Sequence, residues 1–257
     1  MEREGDERAS ALKRVVVVIP TYNEAENIAL VVHQVYAALP GTHLWVVDDG
    51  SPDGTAEIAE GLRSQHDGLC VYRREGPRGL GRAYREAFSR LLQEGCYEYI
   101  VQMDADLSHD PRYLPNLIEA AEGADVVLGS RYVKGGGVRD WPFHRVLLSR
   151  WANFYVHLIT GVPVRDATSG FRCWRASALQ RLNLEEVVSE GYAFAVEMVF
   201  RAYRAGLRIV EVPIVFTDRR HGRSKMTRQV IWESVQMPWR LRFQYSNSSK
   251  HPFRKRL

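Results

Sequence analysis

The run Val15-Val16-Val17-Val18-Ile19 is apolar and β-branched without interruption. Absence of alternation predicts a strand buried on both faces, not one with a wet side. Pro20 ends it. Asn23-Glu24-Ala25-Glu26 then reads as a capping box, with Asn23 as N-cap and Glu26 three residues on, and predicts a helix to about Ala38. Apolar stretches return at Leu44 to Val47, Leu69 to Arg73, Tyr99 to Met103 and Ala124 to Leu128. Between them lie helical patterns over Thr55 to Gln65 and Gly81 to Gln93, and a helix that Asp110-Pro111 should cap with proline at its first position. Beyond Arg131 the alternation breaks. Gly135-Gly136-Gly137 predicts a tight or flexible backbone, Arg145 to Ile159 and Tyr192 to Ala205 predict helices, and Arg208 to Phe216 predicts strand structure interrupted by Pro213.

Strand and helix alternating in this way predict an α/β fold with a mostly parallel central sheet and helices on both faces. Ligands in such folds bind beyond the carboxyl ends of the strands. The unusual residues sit at those ends: Pro20-Thr21-Tyr22 after the first strand, Asp48-Asp49 after the second, Asp104-Ala105-Asp106 after the fourth and Ser130-Arg131 after the fifth. A chain of 257 residues with 45% hydrophobic content supports one large core. We expect a disordered N-terminus over 1–13, a single domain over 14–243 including an irregular C-terminal part, and a basic tail over 244–257.

Charge and cysteine usage narrow the picture. Net charge is +4, yet the chain from Asp218 onward carries eleven Lys/Arg against two acids. That asymmetry predicts an anionic partner, whether phosphate, lipid surface or nucleic acid. Cys70, Cys96 and Cys173 have no metal-type spacing and are read as free thiols. No apolar run approaches the roughly 20 residues that span a bilayer, and Met1 to Lys13 lacks the apolar core of a signal peptide.

The candidate chemistry centres on Asp104 and Asp106. Two carboxylates at the end of a buried strand repel each other, and their physical use is to hold a divalent cation through oxygen. A lone D-x-D more often marks an idle acidic loop; convergence with Asp49 and Arg131 at one sheet edge argues otherwise. The Gly79-Leu80-Gly81 turn with Arg78 and Arg82 is a weaker phosphate-cradle candidate, since it lacks the third glycine of a dinucleotide fingerprint. Glu197 fits two readings equally, a group orienting ligand or arginine and a structural ion pair. His109 is read as a local structural residue.

The runs Ile19-Pro20-Thr21-Tyr22-Asn23-Glu24, Val47-Asp48-Asp49-Gly50-Ser51-Pro52-Asp53-Gly54, Met103-Asp104-Ala105-Asp106-Leu107-Ser108-His109 and Gly129-Ser130-Arg131-Tyr132 resemble a family 2 glycosyltransferase of the GT-A fold. Trp141-Pro142, Ser149-Arg150, Ala167-Thr168-Ser169-Gly170-Phe171-Arg172 and His221-Gly222-Arg223-Ser224-Lys225-Met226 resemble its dolichyl- or polyprenyl-phosphate mannosyltransferase group. The resemblance spans about residues 14 to 230. It implies transfer of mannose from GDP-mannose to a polyprenyl phosphate, with inversion. By the same resemblance Pro20, Tyr22, Glu24, Val47 and Asp49 hold the nucleotide. Asp104, Ala105 and Asp106 bind the diphosphate with Mg²⁺ or Mn²⁺. Arg131, Arg219 and Lys225 meet donor or acceptor phosphates, and Arg145 and Ser149 receive the lipid phosphate. Ser108, where some relatives have Gln, is a second-rank metal contact. Catalysis is expected to rest on Asp104, Asp106 and Arg131.

Free thiols and the lack of a spanning run or signal-peptide core predict the cytosolic side, and a lipid acceptor implies a peripheral protein at the cytoplasmic side of a membrane. Val230 to Phe243 and Arg139 to Arg150 are the candidate interfacial segments, and a small membrane-anchoring subunit is an expected alternative anchor. A UDP-glucose-dependent enzyme acting on the same acceptor, and a nucleotide-sugar-binding module without catalysis, are the competing readings. No nucleic acid partner is expected, because no reading motif accompanies the basic C-terminal charge.

Overall fold

The computed structural model describes residues 14–218 and 228–246. The expected disordered N-terminus over 1–13 lies outside these residues, as does the expected basic tail from 247 on; the first three residues of that tail, 244–246, instead end the last helix. A seven-stranded sheet runs through the molecule in the order β3-β2-β1-β4-β7-β5-β8. Its strands are β1 (Val15–Thr21), β2 (His43–Asp48), β3 (Leu69–Arg73), β4 (Tyr99–Gln102), β5 (Val126–Ser130), β7 (Arg172–Arg175) and β8 (Ile209–Pro213). β6 (Gly137–Arg139) and β9 (Val215–Thr217) pair separately as a short parallel ribbon.

The uninterrupted apolar pattern of β1 has the expected cause. Val16 and Val18 point into one core layer with Tyr84, Phe88 and Phe194, while Val15, Val17 and Ile19 point into the other with Ile28, Val31 and Leu117. The first layer is covered by α3 (Leu80–Glu94) and α7 (Gly191–Arg204); the second by α1 (Ile28–Ala38) and α4 (Leu114–Ala121). The remaining helices are α2 (Thr55–Gly61), α5 (Phe143–Thr160), α6 (Ala176–Gln180) and α8 (Arg228–Ser246).

Two local expectations are corrected. Asn23 does not cap a helix: it is left-handed at φ 59°, and α1 begins only at Ile28. The exposed amides after β1 find better acceptors across the sheet edge. Asn23 N–H donates to Ser51 Oγ at 3.0 Å, Glu24 N–H to Thr55 Oγ1 at 2.9 Å and Ala25 N–H to Asp53 Oδ2 at 3.0 Å. Long-range partners therefore replace the local box and stitch the loops after β1 and β2 together.

The second correction is β7, a strand the sequence reading did not include. It runs antiparallel between β4 and β5, with Val101 opposite Cys173 and Val127 opposite Cys173 on the other side. Its insertion carries the 166–170 loop to the same edge as the ends of β4 and β5. The glycine run is tight: a Cβ on Gly136 would lie 2.5 Å from the Ser130 carbonyl.

α5 and α8 pack against each other, with Tyr155 Oη donating to the Val235 carbonyl at 2.8 Å and Arg242 Nη1 to the Ile159 carbonyl at 2.7 Å. No described helix is long and apolar enough to cross a membrane. The three cysteines are free thiols: Cys173 is fully buried and its pKa is pushed up by burial, whereas Cys96 is exposed. Iodoacetamide should therefore modify Cys96 in the native protein and leave Cys173 intact until denaturant is added, as read by peptide mass spectrometry.

Candidate active site

Two cavities open along the carboxyl edge of the sheet. The first, of about 520 Å³, is bounded by Pro20, Tyr22, Glu24 and Asp49 at one end and by Asp104, Ala105 and Asp106 at the other. Pro20 and Asp49 reach it because β1 and β2 end in register. Val47 is not among the residues lining it: its side chain is fully buried in the core. Asp48 is also internal, accepting from Thr21 Oγ1 at 2.9 Å and from the Gly50 and Ser51 amides. It shapes the turn that presents Asp49. Arg78 lies over the Tyr22 ring, 4.4 Å from its centroid, and donates to the Tyr22 hydroxyl at 2.5 Å.

The Gly79-Leu80-Gly81 turn is not an open phosphate cradle. Gly79 N–H donates to Asp49 Oδ2 and Gly81 N–H to Glu190 Oε2, both at 2.7 Å. Two protein carboxylates already occupy the donors that a phosphate would take. Burial raises the Glu190 pKa against the lowering effect of the Gly81 and Arg82 amides and of the Arg82 and Arg85 charges.

The acidic pair is held by its surroundings. Asp106 Oδ1 accepts from the Ser108 amide at 3.1 Å and from Ser108 Oγ at 2.5 Å. The Asp104 amide donates to His109 Nδ1 at 3.1 Å, and the His109 ring stacks on Phe171. His109 is thus structural, as expected, and Ser108 orients Asp106. The Asp104 side chain stays 37% exposed, which leaves its oxygens able to take a ligand from the cavity. Gly170 keeps that space open: a Cβ there would come within 3.4 Å of Asp104 Oδ2.

The second cavity, of about 310 Å³, shares Asp104 and Asp106 with the first and extends past Arg131, Arg145 and Ser149 to Leu148, Trp151, Tyr155 and Val235. Arg131 is 7% exposed, and its guanidinium grips Asp166, which is fully buried, through Nε at 2.7 Å and Nη2 at 2.6 Å. Burial opposes its charge, but the Asp166 bonds and charge outweigh burial and raise its pKa. Arg131 Nη2 also donates to Thr168 Oγ1 at 2.8 Å. Arg145 stacks on Trp141 at 4.1 Å and pairs with Asp218 at 2.8 Å. Ser149 Oγ accepts from the Tyr132 hydroxyl at 2.6 Å. Arg219 and Lys225 lie outside the described residues.

Sequence reasoning missed Asp166 and Glu211. Glu211 on β8 accepts from the Arg165 amide at 2.8 Å and from the Asp166 amide at 2.9 Å, fixing the loop that presents Thr168 and Gly170. A lone aspartate in Arg165-Asp166-Ala167 carries no spacing signal; only β7 and β8 bring it under Arg131. Glu197 takes the structural reading: it accepts from Arg201 Nε at 2.8 Å and from Ser189, and is buried away from both cavities.

Comparison with known proteins gives this site a lineage. The profile of Glycosyl transferase family 2 matches residues 16–182. Polyprenol monophosphomannose synthase of Mycolicibacterium smegmatis is 45% identical over 225 residues, 87% of this chain and 84% of that protein. Undecaprenyl-phosphate mannosyltransferase of Micrococcus luteus is 42% identical over 222 residues, 86% of this chain and 91% of that protein. The chain belongs to glycosyl transferase family 2. Its mostly parallel sheet is that of GT-A structures. Glucosyl-3-phosphoglycerate synthase from Mycobacterium tuberculosis, solved with Mn²⁺, UDP and glucosyl-3-phosphoglycerate, superposes with a TM-score of 0.65 at 22% identity, covering 90% of this chain and 82% of that one. Mannosyltransferase PcManGT from Pyrobaculum calidifontis, solved with GDP-Man and Mn²⁺, gives 0.59 at 20% identity, covering 93% and 65%.

The buried pair makes a stability prediction. Asp166→Ala strands the Arg131 charge and should lower unfolding free energy by about 3–5 kcal/mol. The double variant Arg131→Met/Asp166→Leu should recover much of that loss. Urea unfolding with unchanged slope would measure both.

Proposed function

We propose that the protein transfers mannose from GDP-mannose to the phosphate of a membrane polyprenol, with inversion at the anomeric carbon. The observation that carries this reading is the meeting of the two cavities at Asp104 and Asp106. The larger cavity takes the nucleotide, with Tyr22, Glu24 and Asp49 at the nucleoside end. The smaller is lined by Arg131 and Arg145 together with apolar side chains such as Leu148, Trp151 and Val235, which suits a phosphate on a hydrocarbon tail. The relatives named for polyprenol monophosphomannose synthesis and undecaprenyl-phosphate mannosyl transfer support the acceptor and the sugar; the PcManGT complex with GDP-Man supports the nucleotide.

Asp104 and Asp106 fit a divalent ion. They are hard oxygen donors at a gap that Gly170 keeps open, and among the described residues no third His, Cys, Asp or Glu completes a cage. A partial protein shell completed by diphosphate and water is the habit of Mg²⁺ and is compatible with Mn²⁺. When bound, the ion offsets negative charge on the leaving diphosphate. Ser108 contributes by holding Asp106.

The chemistry asks little else of the chain. A phosphate-monoester oxygen is already ionised near neutral pH. It attacks the anomeric carbon as the bond to the diphosphate breaks, and no proton has to be removed. The protein's task is to place two anions close together. Arg145 is the accessible cation for the acceptor phosphate. Arg131, neutralised by Asp166, orients Thr168 and the cavity wall. Arg219 and Lys225 are proposed to supply further positive charge.

The apolar acceptor wall continues onto the surface. Leu147, Trp151, Phe154 and Leu158 recur along one face of α5, and Trp232, Val235, Trp239 and Phe243 along α8, all exposed. A face of this kind beside Arg150, Arg240 and Arg242 suits the interface of an anionic bilayer. This is the reading for a peripheral protein at the cytoplasmic side of a membrane.

Three experiments test these statements. GDP-mannose and UDP-glucose, each supplied with polyprenyl phosphate and Mg²⁺ or Mn²⁺, should give lipid-linked mannose only; glucose transfer alone would overturn the donor assignment. Asp104→Ala should lower kcat by about a hundredfold or more while the protein stays folded. In vesicle co-sedimentation, replacing Leu147, Trp151 and Phe154 by serine should weaken binding by about tenfold or more; unchanged binding would reject this face.

A further inference from the structure

We infer that Tyr192 is the residue that seats the donor sugar and closes the passage between the two cavities. This rests on the glycosyl-transfer reading and extends it to a residue that no motif singled out. The argument starts from the overlap of the two walls. Asp104, Asp106, Thr168, Gly170 and Tyr192 line both cavities. In a direct displacement the anomeric carbon must lie where donor and acceptor spaces meet, so these residues surround it. Four of them already have a task. Asp104 and Asp106 face the diphosphate, Thr168 Oγ1 is held by Arg131 at 2.8 Å and by Asn153 at 3.1 Å, and Gly170 provides room. Tyr192 alone brings a large ring to the junction.

Its position is built by the backbone. Gly191 has φ 53°, a conformation that costs a non-glycine residue energy, and it turns the chain into α7 so that the second residue faces the junction. From there α7 divides the two spaces. Ala193 and Val196 belong to the acceptor wall, Phe194 and Ala195 to the donor wall, and Tyr192 to both. The residues that follow are buried, whereas Tyr192 keeps 43% of its surface exposed, so its ring presents area to a ligand. A pyranose offers one face of C–H groups and a rim of hydroxyls. An aromatic ring with a phenolic edge matches such a surface at little entropic cost, having two side-chain torsions to fix. With the sugar packed on that ring, the opening to the acceptor side admits the phosphate oxygen and excludes water, which would otherwise take the sugar as the free hexose.

The test separates sugar seating from nucleotide binding and from folding. Tyr192→Ala and Tyr192→Phe are compared with the unaltered protein in calorimetry with GDP and with GDP-mannose, each in the presence of Mn²⁺, and in an assay that counts both lipid-linked and free mannose. For Tyr192→Ala we expect unchanged GDP affinity and loss of the added affinity that the sugar confers. We also expect a fall in transfer kcat of about tenfold or more and a larger share of donor lost as free mannose. Tyr192→Phe should keep the sugar affinity and the partition ratio, because the ring remains. An alanine variant with normal sugar affinity and normal partition overturns the assignment, as does one that loses GDP affinity in parallel, which would mark a structural role. Failure of the unaltered protein to transfer mannose would instead overturn the transferase reading, and the two failures are told apart by that control.

Discussion

The buried pair between Arg131 and Asp166 is the contact on which both cavities depend. Arg131 leaves the end of β5, and Asp166 sits in the loop before β7. Their two parallel bonds, joined by the Arg131 amide donating to Asp166 Oδ2 at 2.9 Å, lock that loop against the sheet edge. Such a pair has to recover a large desolvation cost, and here the bidentate geometry is joined by the Arg131 amide and by Thr168 Oγ1. Glu211 secures the loop from β8, and Asn153 reaches it from α5. Thr168 and Gly170 are placed beside Asp104 as a consequence. Strand, loop and helix thus meet at one ion pair, and the junction between the cavities inherits its rigidity.

Arg172 extends the same construction inward. Its guanidinium is fully buried and bonds the carbonyls of Ala167, Ser169 and Ala195, at 2.8, 2.8 and 2.7 Å. Burial lowers its pKa to about 9, against the opposing charge of Asp166. One side chain therefore ties the loop before β7 to α7, the helix that carries Tyr192. Acceptor wall, donor wall and acidic pair are held as one framework, which suits a reaction whose demand is placement.

Much of this was legible in the residue pattern, and the remainder was hidden for definite reasons. The apolar run of β1 announced a strand buried on both faces because both of its faces meet helices. The converging ends of β1, β2, β4 and β5 were readable because parallel strands separated by helices leave few alternatives. The Asn23 capping box failed because Ser51, Asp53 and Thr55 offer partners that local sequence cannot display. β7 was missed because its strand, Arg172-Cys173-Trp174-Arg175, is four residues long and enters against the direction of its neighbours. Asp166 went with it, since its partner is distant in the chain. Val47 matched a motif, yet a position inside β2 leaves its side chain in the core.

Charge at the donor cavity explains why a carboxylate pair there asks for a cation. Glu24, Asp49, Asp104, Asp106 and Glu190 all line that cavity. Nearby guanidinium groups are already engaged: Arg74 with Asp49 and Glu86, Arg82 with Glu190, Arg131 with Asp166. Arg78 bonds Tyr22 and the Gly50 carbonyl and stands at the nucleoside end. A diphosphate entering this space meets like charge, and the helix amides that elsewhere bind phosphate are taken by Asp49 and Glu190. A divalent ion on Asp104 and Asp106 would cancel the charge of that pair at the place where the leaving group must sit. The metal dependence we propose thus follows from the whole wall of the cavity, and the D-x-D pair is the part of that wall the ion can reach.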